Sequence, residues 1–229
     1  MKKILFSILL ISTFIACNNK KKSEETKNST PIEIKTELTS VEKITNKLGY
    51  QNWNDVSEIS YTFNVKRGEM NMARSWVWNP KTDDVKMTSV QDTISYNRKA
   101  MDSLSKITDK AFINDKFWLL APFNLVSDTG VNFTEKQGVS APISGKKLNQ
   151  LTAVYSNDGG YTPGDAYDFY YNSDFKIKEW SFRKGNQEKP NLSTTWEGYE
   201  TFNNITLSKT RNDSIGFFSI YFTDISIKN

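Results

Sequence analysis

Residues 57–78, SEISYTFNVKRGEMNMARSWVW, decide the fold class. Ile59, Tyr61, Phe63 and Val65 alternate with polar residues, and Met72, Arg74, Trp76 and Trp78 repeat the pattern. A period of two puts every second side chain on one face of a strand. Asn79-Pro80-Lys81-Thr82-Asp83-Asp84 is turn chemistry, and residues 85–90 read as the return strand. The expectation is antiparallel sheet with one wet face and one buried face.

Upstream, Leu38 to Gly49 reads as a short helix. Thr39 and Glu42 form a capping box, Val41, Ile44 and Leu48 share one face, and Gly49 ends it. Downstream, a helical insertion is expected at about 98–121. Ala100, Leu104, Ile107 and Ala111 recur at spacings of four, three and four, giving one apolar helical face. Phe117-Trp118-Leu119-Leu120 extends it, and Pro122 is expected to stop it.

Strands are then expected at 131–136, 148–155, 167–171, 175–183, 194–202, 205–210 and 215–227. Asn172-Ser173-Asp174 and Asn203-Asn204 read as tight hairpin connections. Roughly nine to eleven strands result, a meander that must curl to bury its apolar face. The fold class is therefore mainly β with a helical insertion, a curved antiparallel sheet or incomplete barrel whose helices cover the concave face.

The amino-terminal run MKKILFSILLISTFIAC is a different kind of signal. Lys2 and Lys3 precede an apolar run from Ile4 to Ile15, then Ala16 and the chain's single cysteine, Cys17. A span needs about 20 apolar residues, so the run reads as a signal peptide, 1–16, cleaved after Ala16. Cys17 is the expected lipidation site. The competing reading is an ordinary secretory signal with a chance cysteine. Several acyl chains on one cysteine would make a durable anchor, at roughly 0.8 kcal/mol per buried methylene. Residues 17–36 are expected to be a disordered tether, since Asn18 to Thr30 contains no apolar residue. Lys22-Ser23-Glu24-Glu25 reads either as a surface-export signal or as solvated linker. A single domain, 37–229, follows.

Charge narrows the partners. Residues 1–30 hold six lysines against two glutamates, which accounts for the whole formal charge of +4. A neutral domain argues against a nucleic-acid groove, which needs clustered Lys and Arg.

The chemistry is limited by what the sequence omits. With no histidine, Ser-His-Asp and Cys-His systems and imidazole metal sites are excluded. Neither a Walker-type loop nor a GxGxxG fingerprint occurs, and Asp158-Gly159-Gly160 reads as a turn. Asp165, Asp168, Glu179 and Glu197 are the carboxylates that a glycosidase-type site would use. Asp158, Asp165 and Asp168 flank a Gly/Pro turn and offer oxygen ligands, but their spacing fits no calcium loop. No catalytic residue, metal or cofactor is expected.

Six Trp, 14 Phe and 10 Tyr are the positive signal. Aromatics at alternating positions build core first, and those beyond the needs of a core would line an apolar concavity. The candidate ligand-binding residues are Trp76 and Trp78, Phe117, Trp118 and Leu120 of the insertion, and Tyr167, Phe169 and Tyr171. Arg74 shares the Trp76/Trp78 face, where it could meet an anionic head group or pair with a strand neighbour.

Two blocks carry a family resemblance. Phe112-Ile113-Asn114-Asp115-Lys116-Phe117-Trp118-Leu119-Leu120-Ala121-Pro122-Phe123, with Ser127-Asp128-Thr129-Gly130-Val131, is the first. Thr162-Pro163-Gly164-Asp165, the strand 167–171 and Lys178-Glu179-Trp180-Ser181-Phe182-Arg183 form the second. Over about residues 40–227 the chain resembles a Bacteroidota outer-membrane lipoprotein family of unknown function. That family is similar in fold to the LolA-type lipoprotein carriers, an incomplete antiparallel barrel with helices over its mouth. The resemblance implies lipid anchoring at the outer membrane, facing the periplasm or the cell surface. The leading functional expectation is non-enzymatic binding of a lipid or other apolar ligand in the concavity. The alternatives are a structural or partner-docking lipoprotein and, third, a carboxylate-dependent glycan hydrolase.

Overall fold

The computed structural model describes residues 37–157 and 162–229. The expected leader, lipidation site and tether, residues 1–36 including the Lys22-Ser23-Glu24-Glu25 stretch, and Asp158-Gly159-Gly160 lie outside the described residues.

Local chemistry starts the domain as expected. In α1 (Ser40–Lys47) the Thr39 hydroxyl accepts from the Glu42 amide at 3.3 Å, and the Glu42 carboxylate accepts from the Thr39 amide at 2.7 Å. Ile44 and Leu48 are buried. Gly49 then turns the chain at φ +82°, with Asn204 O only 2.0 Å from where a Cβ would sit. Both the left-handed backbone and the close approach require glycine there.

Twelve strands follow among the described residues, all paired antiparallel. They are β1 (Glu58–Arg67), β2 (Met70–Trp78), β3 (Asp84–Thr88), β4 (Thr93–Asn97), β5 (Val131–Ser140), β6 (Lys147–Tyr155), β7 (Ala166–Tyr171), β8 (Ile177–Arg183), β9 (Leu192–Thr195), β10 (Glu197–Phe202), β11 (Ile205–Asn212) and β12 (Phe218–Lys228). One sheet has the order β10-β11-β12-β1-β2-β3-β4 and the other β5-β6-β7-β8-β9. The last strand thus returns to pair with the first, and neither sheet closes into a barrel. The decisive alternation survives in register: Ile59 faces Trp78, Tyr61 faces Trp76 and Phe63 faces Arg74.

Residues 194–202, expected as one strand, are two. The chain leaves the second sheet at Thr195 and enters the first at Glu197. Trp196 marks the crossing: it is buried, and its amide donates to Lys178 O at 2.7 Å. The hairpin at Asn203-Asn204 has φ of +47° and +65°, the left-handed pair that Asn tolerates.

The insertion differs from expectation in two ways. α2 spans Ser103–Ser127, so Pro122 lies inside it rather than ending it. Its buried face is also not the Ala100/Leu104/Ile107 face, because Leu104 and Ile107 are 56% and 68% exposed. The first half of α2 instead buries Thr108, Asp109, Phe112 and Asp115. The two acids are tolerated because strand residues supply them with partners.

α2 fills the space between the sheets. Phe112 packs on Trp76 and Trp78 of the first sheet, with ring centroids 5.3 and 5.6 Å away. Trp118 packs on Trp180 of the second at 4.7 Å. Residues 37–229 form one compact unit, and its described core runs through both sheets and α2. Among the described residues no helix is long and apolar enough to cross a membrane.

Candidate functional site

The aromatic candidates divide between interior and margin. Trp76, Trp78, Trp118, Leu120, Phe169 and Tyr171 are all at least nine-tenths buried. Phe117 is half-buried, and Tyr167 lies against it with ring centroids 5.0 Å apart. Tyr167 is as buried as the other six, and only its contact with Phe117 brings it to the side of α2.

Arg74 pairs with a helix, not with a strand neighbour. Its Nε and Nη2 donate to the two oxygens of Asp115, each at 2.8 Å. Trp76 Nε1 donates to Asp115 at 2.9 Å and Asn114 Nδ2 at 3.0 Å. Burial nevertheless outweighs these donors and holds the Asp115 carboxyl above its ordinary range. Asp109 is served likewise, by Arg98 Nε at 2.8 Å and the Tyr96 hydroxyl at 3.0 Å. Two buried carboxylates, each paired with a partly exposed arginine, therefore clamp α2 onto the first sheet.

A third arginine fastens the other half of α2 without any acid. Arg211 is fully buried, its guanidinium carbon 3.3 Å from the Trp196 ring centroid. It donates to Ser208 Oγ at 2.8 Å and to Trp118 O at 2.7 Å. Burial pushes its pKa down to about 9, which leaves it a cation at neutral pH.

Beside Leu48, Leu119, Phe123, Trp196 and Leu207 there remains about 10 Å³, no more than one water occupies. Along the flank of α2, by contrast, a groove of about 810 Å³ opens. Ile113 and Phe117 of α2 meet Tyr155 and Tyr167 of the second sheet as its apolar floor. Lys110, Asn114, Lys116, Asn124 and Asp128 border it, with Thr129, Ser156 and Thr162 at one end. Tyr155 and Tyr167 contact edge to face at 5.6 Å, and the Tyr155 hydroxyl donates to Asp128 at 2.6 Å. Burial, reinforced by Asp128, raises the Tyr155 pKa strongly, and burial pushes that of Tyr167 up to about 12. Both phenols stay neutral, so the floor carries no charge. Sequence reasoning reached Phe117 and Tyr167 here but missed Ile113, Tyr155 and Lys116. The signal for Tyr155 was its place at a strand end; Lys116 offered none, since a helical lysine reads as solvated.

Three of the four carboxylates considered for hydrolysis have structural partners. Asp168 accepts from Arg183 Nε at 2.8 Å and from Thr152 at 2.6 Å. Glu179 accepts the Ile143 and Ser144 amides at 2.6 and 3.1 Å. Asp165 accepts the Gly185 amide at 2.7 Å, and Glu197 is exposed at the start of an edge strand.

The chain matches no protein-family model and no curated protein. Among solved structures it is similar to a DUF1329 family protein from Desulfovibrio piger ATCC 29098, at 6% identity and a TM-score of 0.46 over 82% of this chain and 92% of that one. It is also similar to a structure described as an outer membrane lipoprotein-sorting protein domain from Vibrio parahaemolyticus, at 8% identity and a TM-score of 0.42 over 83% and 94%. At these values the likeness transfers no residue role.

Proposed function

We propose that this protein is a lipid-anchored binding protein of the bacterial envelope, held by acylated Cys17 at the outer membrane, which takes a lipid or other apolar ligand without chemical conversion. The leader sequence supports the anchoring. The observation that carries the binding role is the groove of about 810 Å³ floored by Ile113, Phe117, Tyr155 and Tyr167. Its volume is within the range of small-molecule sites, and its uncharged floor suits an acyl chain. The ligand's place in this reading is the flank of α2, because α2 itself occupies the concavity between the sheets.

The test uses a chain beginning at Glu37 and the neutral fluorophore N-phenyl-1-naphthylamine. The probe is expected to bind with enhanced emission, and Phe117→Asp to weaken binding by about tenfold or more, since it sets a carboxylate on the floor. No enhancement with the wild-type domain would remove the binding role.

A second reading, docking of a protein partner, draws on a different surface. Met70 at 60%, Ile215 at 81% and Phe217 at 50% exposure stand at two neighbouring hairpin tips, joined where the Gly68 amide donates to Phe217 O at 2.9 Å. Exposed apolar groups so close together are a feature of interaction surfaces. Substituting them with Ser and comparing recovery of cross-linked envelope proteins separates this reading from the first.

A further inference from the structure

We propose that the groove is built for an amphiphile with an anionic head, its chain on the Phe117/Tyr167 floor and its head at the Lys116 ammonium, with Lys110 as a second, exposed cation. This rests on the binding role above and specifies the ligand class.

Lys116 carries the inference. It is half-buried, and among the described residues its ammonium has no hydrogen bond or ion pair. It lies instead over aromatic faces, 5.1 Å from the Trp78 centroid and 5.9 Å from that of Phe112. The acids whose fields reach it are Asp128, Asp109 and Asp83, and each is already engaged. Asp128 accepts from Tyr155 at 2.6 Å, Asp109 is paired with Arg98 at 2.8 Å, and Asp83 with Lys99 at 3.2 Å. Arg98 adds a repelling positive field, and burial and that field together lower the Lys116 pKa.

A lysine normally extends its ammonium into water. One kept partly out of water, over rings that supply only weak attraction, lacks an anion at a site that borders an apolar groove. A ligand carboxylate or phosphate monoester would supply it, with a charge-assisted hydrogen bond. A neutral lipid would offer the ammonium only an uncharged acceptor, and so gain less from it.

Displacement of bound N-phenyl-1-naphthylamine by dodecanoate and by dodecanol tests this on the domain from Glu37. Dodecanoate is expected to displace the probe at about tenfold lower concentration, the worth of one charge-assisted hydrogen bond. Lys116→Met, which keeps an apolar stem, should abolish that preference, and Lys116→Arg should retain it. Inorganic phosphate should leave the probe in place. Equal displacement by acid and alcohol, or a preference that survives Lys116→Met, would overturn the head-group assignment and leave the groove as an apolar site. Displacement by phosphate alone would overturn it in favour of a free-anion site. Failure of the probe to bind at all would remove the binding role and this inference together.

Discussion

Arg211 Nη2 donates to the Trp118 carbonyl at 2.7 Å, and Trp118 is the residue four positions before Pro122. In an unbroken helix that carbonyl accepts the amide of the residue at 122, which proline lacks. The buried guanidinium therefore supplies from β11 the donor that α2 cannot supply itself. This explains how a helix runs through a proline in a packed core, and why a cation sits there with no acid. Its other contacts, the Trp196 face and Ser208, hold it in that position.

Arg211→Ala should therefore cost about 3 kcal/mol or more, from lost packing and an orphaned buried carbonyl. In a Pro122→Ala background the helix provides its own donor, so the cost of Arg211→Ala should fall by about 1–2 kcal/mol. Urea unfolding of the four chains completes the cycle. Strictly additive costs would show that Pro122 and Arg211 are not coupled.

Asp115 should respond to acid in the opposite sense from an ordinary ion-paired carboxylate. Its folded pKa is raised above the unfolded value, so between the two the folded state binds more protons. Stability from this group therefore increases as pH falls through the folded pKa and is least at neutral pH. Asp115→Asn has no proton to gain and leaves Arg74 without its carboxylate. The stability deficit of Asp115→Asn should widen as pH is lowered from 7 toward about 4.5, read from urea midpoints. A deficit that shrinks over this range would contradict the assigned direction.

Gly49→Ala should destabilise by at least about 2 kcal/mol, because φ of +82° is strained for alanine and its Cβ would meet the Asn204 backbone. Thermal unfolding measures it. Gly145→Ala is the control, since its φ is also positive at +68° but nothing lies within 4 Å of the added Cβ. Similar losses at both positions would mean the close approach contributes little.

Anchoring has its own assay. In cells, the wild-type chain should sediment with outer-membrane vesicles, and Cys17→Ser should shift it to the soluble fraction or leave it with an uncleaved leader. Unchanged sedimentation of a processed Cys17→Ser chain would require a different attachment.

What could be read from the sequence was what local chemistry controls. Thr39 and Glu42 specify a cap, Asn203-Asn204 a left-handed hairpin turn, and the alternation at 59–65 and 72–78 a buried sheet face. The misreadings concern groups whose partners are remote in sequence. The Ala100/Leu104/Ile107 face looks like the buried one until Arg98 and Arg74 are seen to bring Asp109 and Asp115 inside instead. Pro122 looks like a terminator until Arg211, 89 positions later, is seen to satisfy Trp118. The break at Trp196 has no Gly or Pro immediately before it, and Gly198, at φ +66°, falls only after it. For the groove, Phe117 and Tyr167 stood out as aromatics, whereas the situation of Lys116 depends on Trp78 and Phe112 lying beneath it.

The most direct test of where a ligand sits is paramagnetic broadening of the labelled domain by doxyl-stearate. Occupation of the flank predicts loss of signal at Ile113, Phe117, Tyr155 and Tyr167, with Leu48, Trp196 and Leu207 unaffected. Broadening centred on that interior group, or none anywhere, would contradict it.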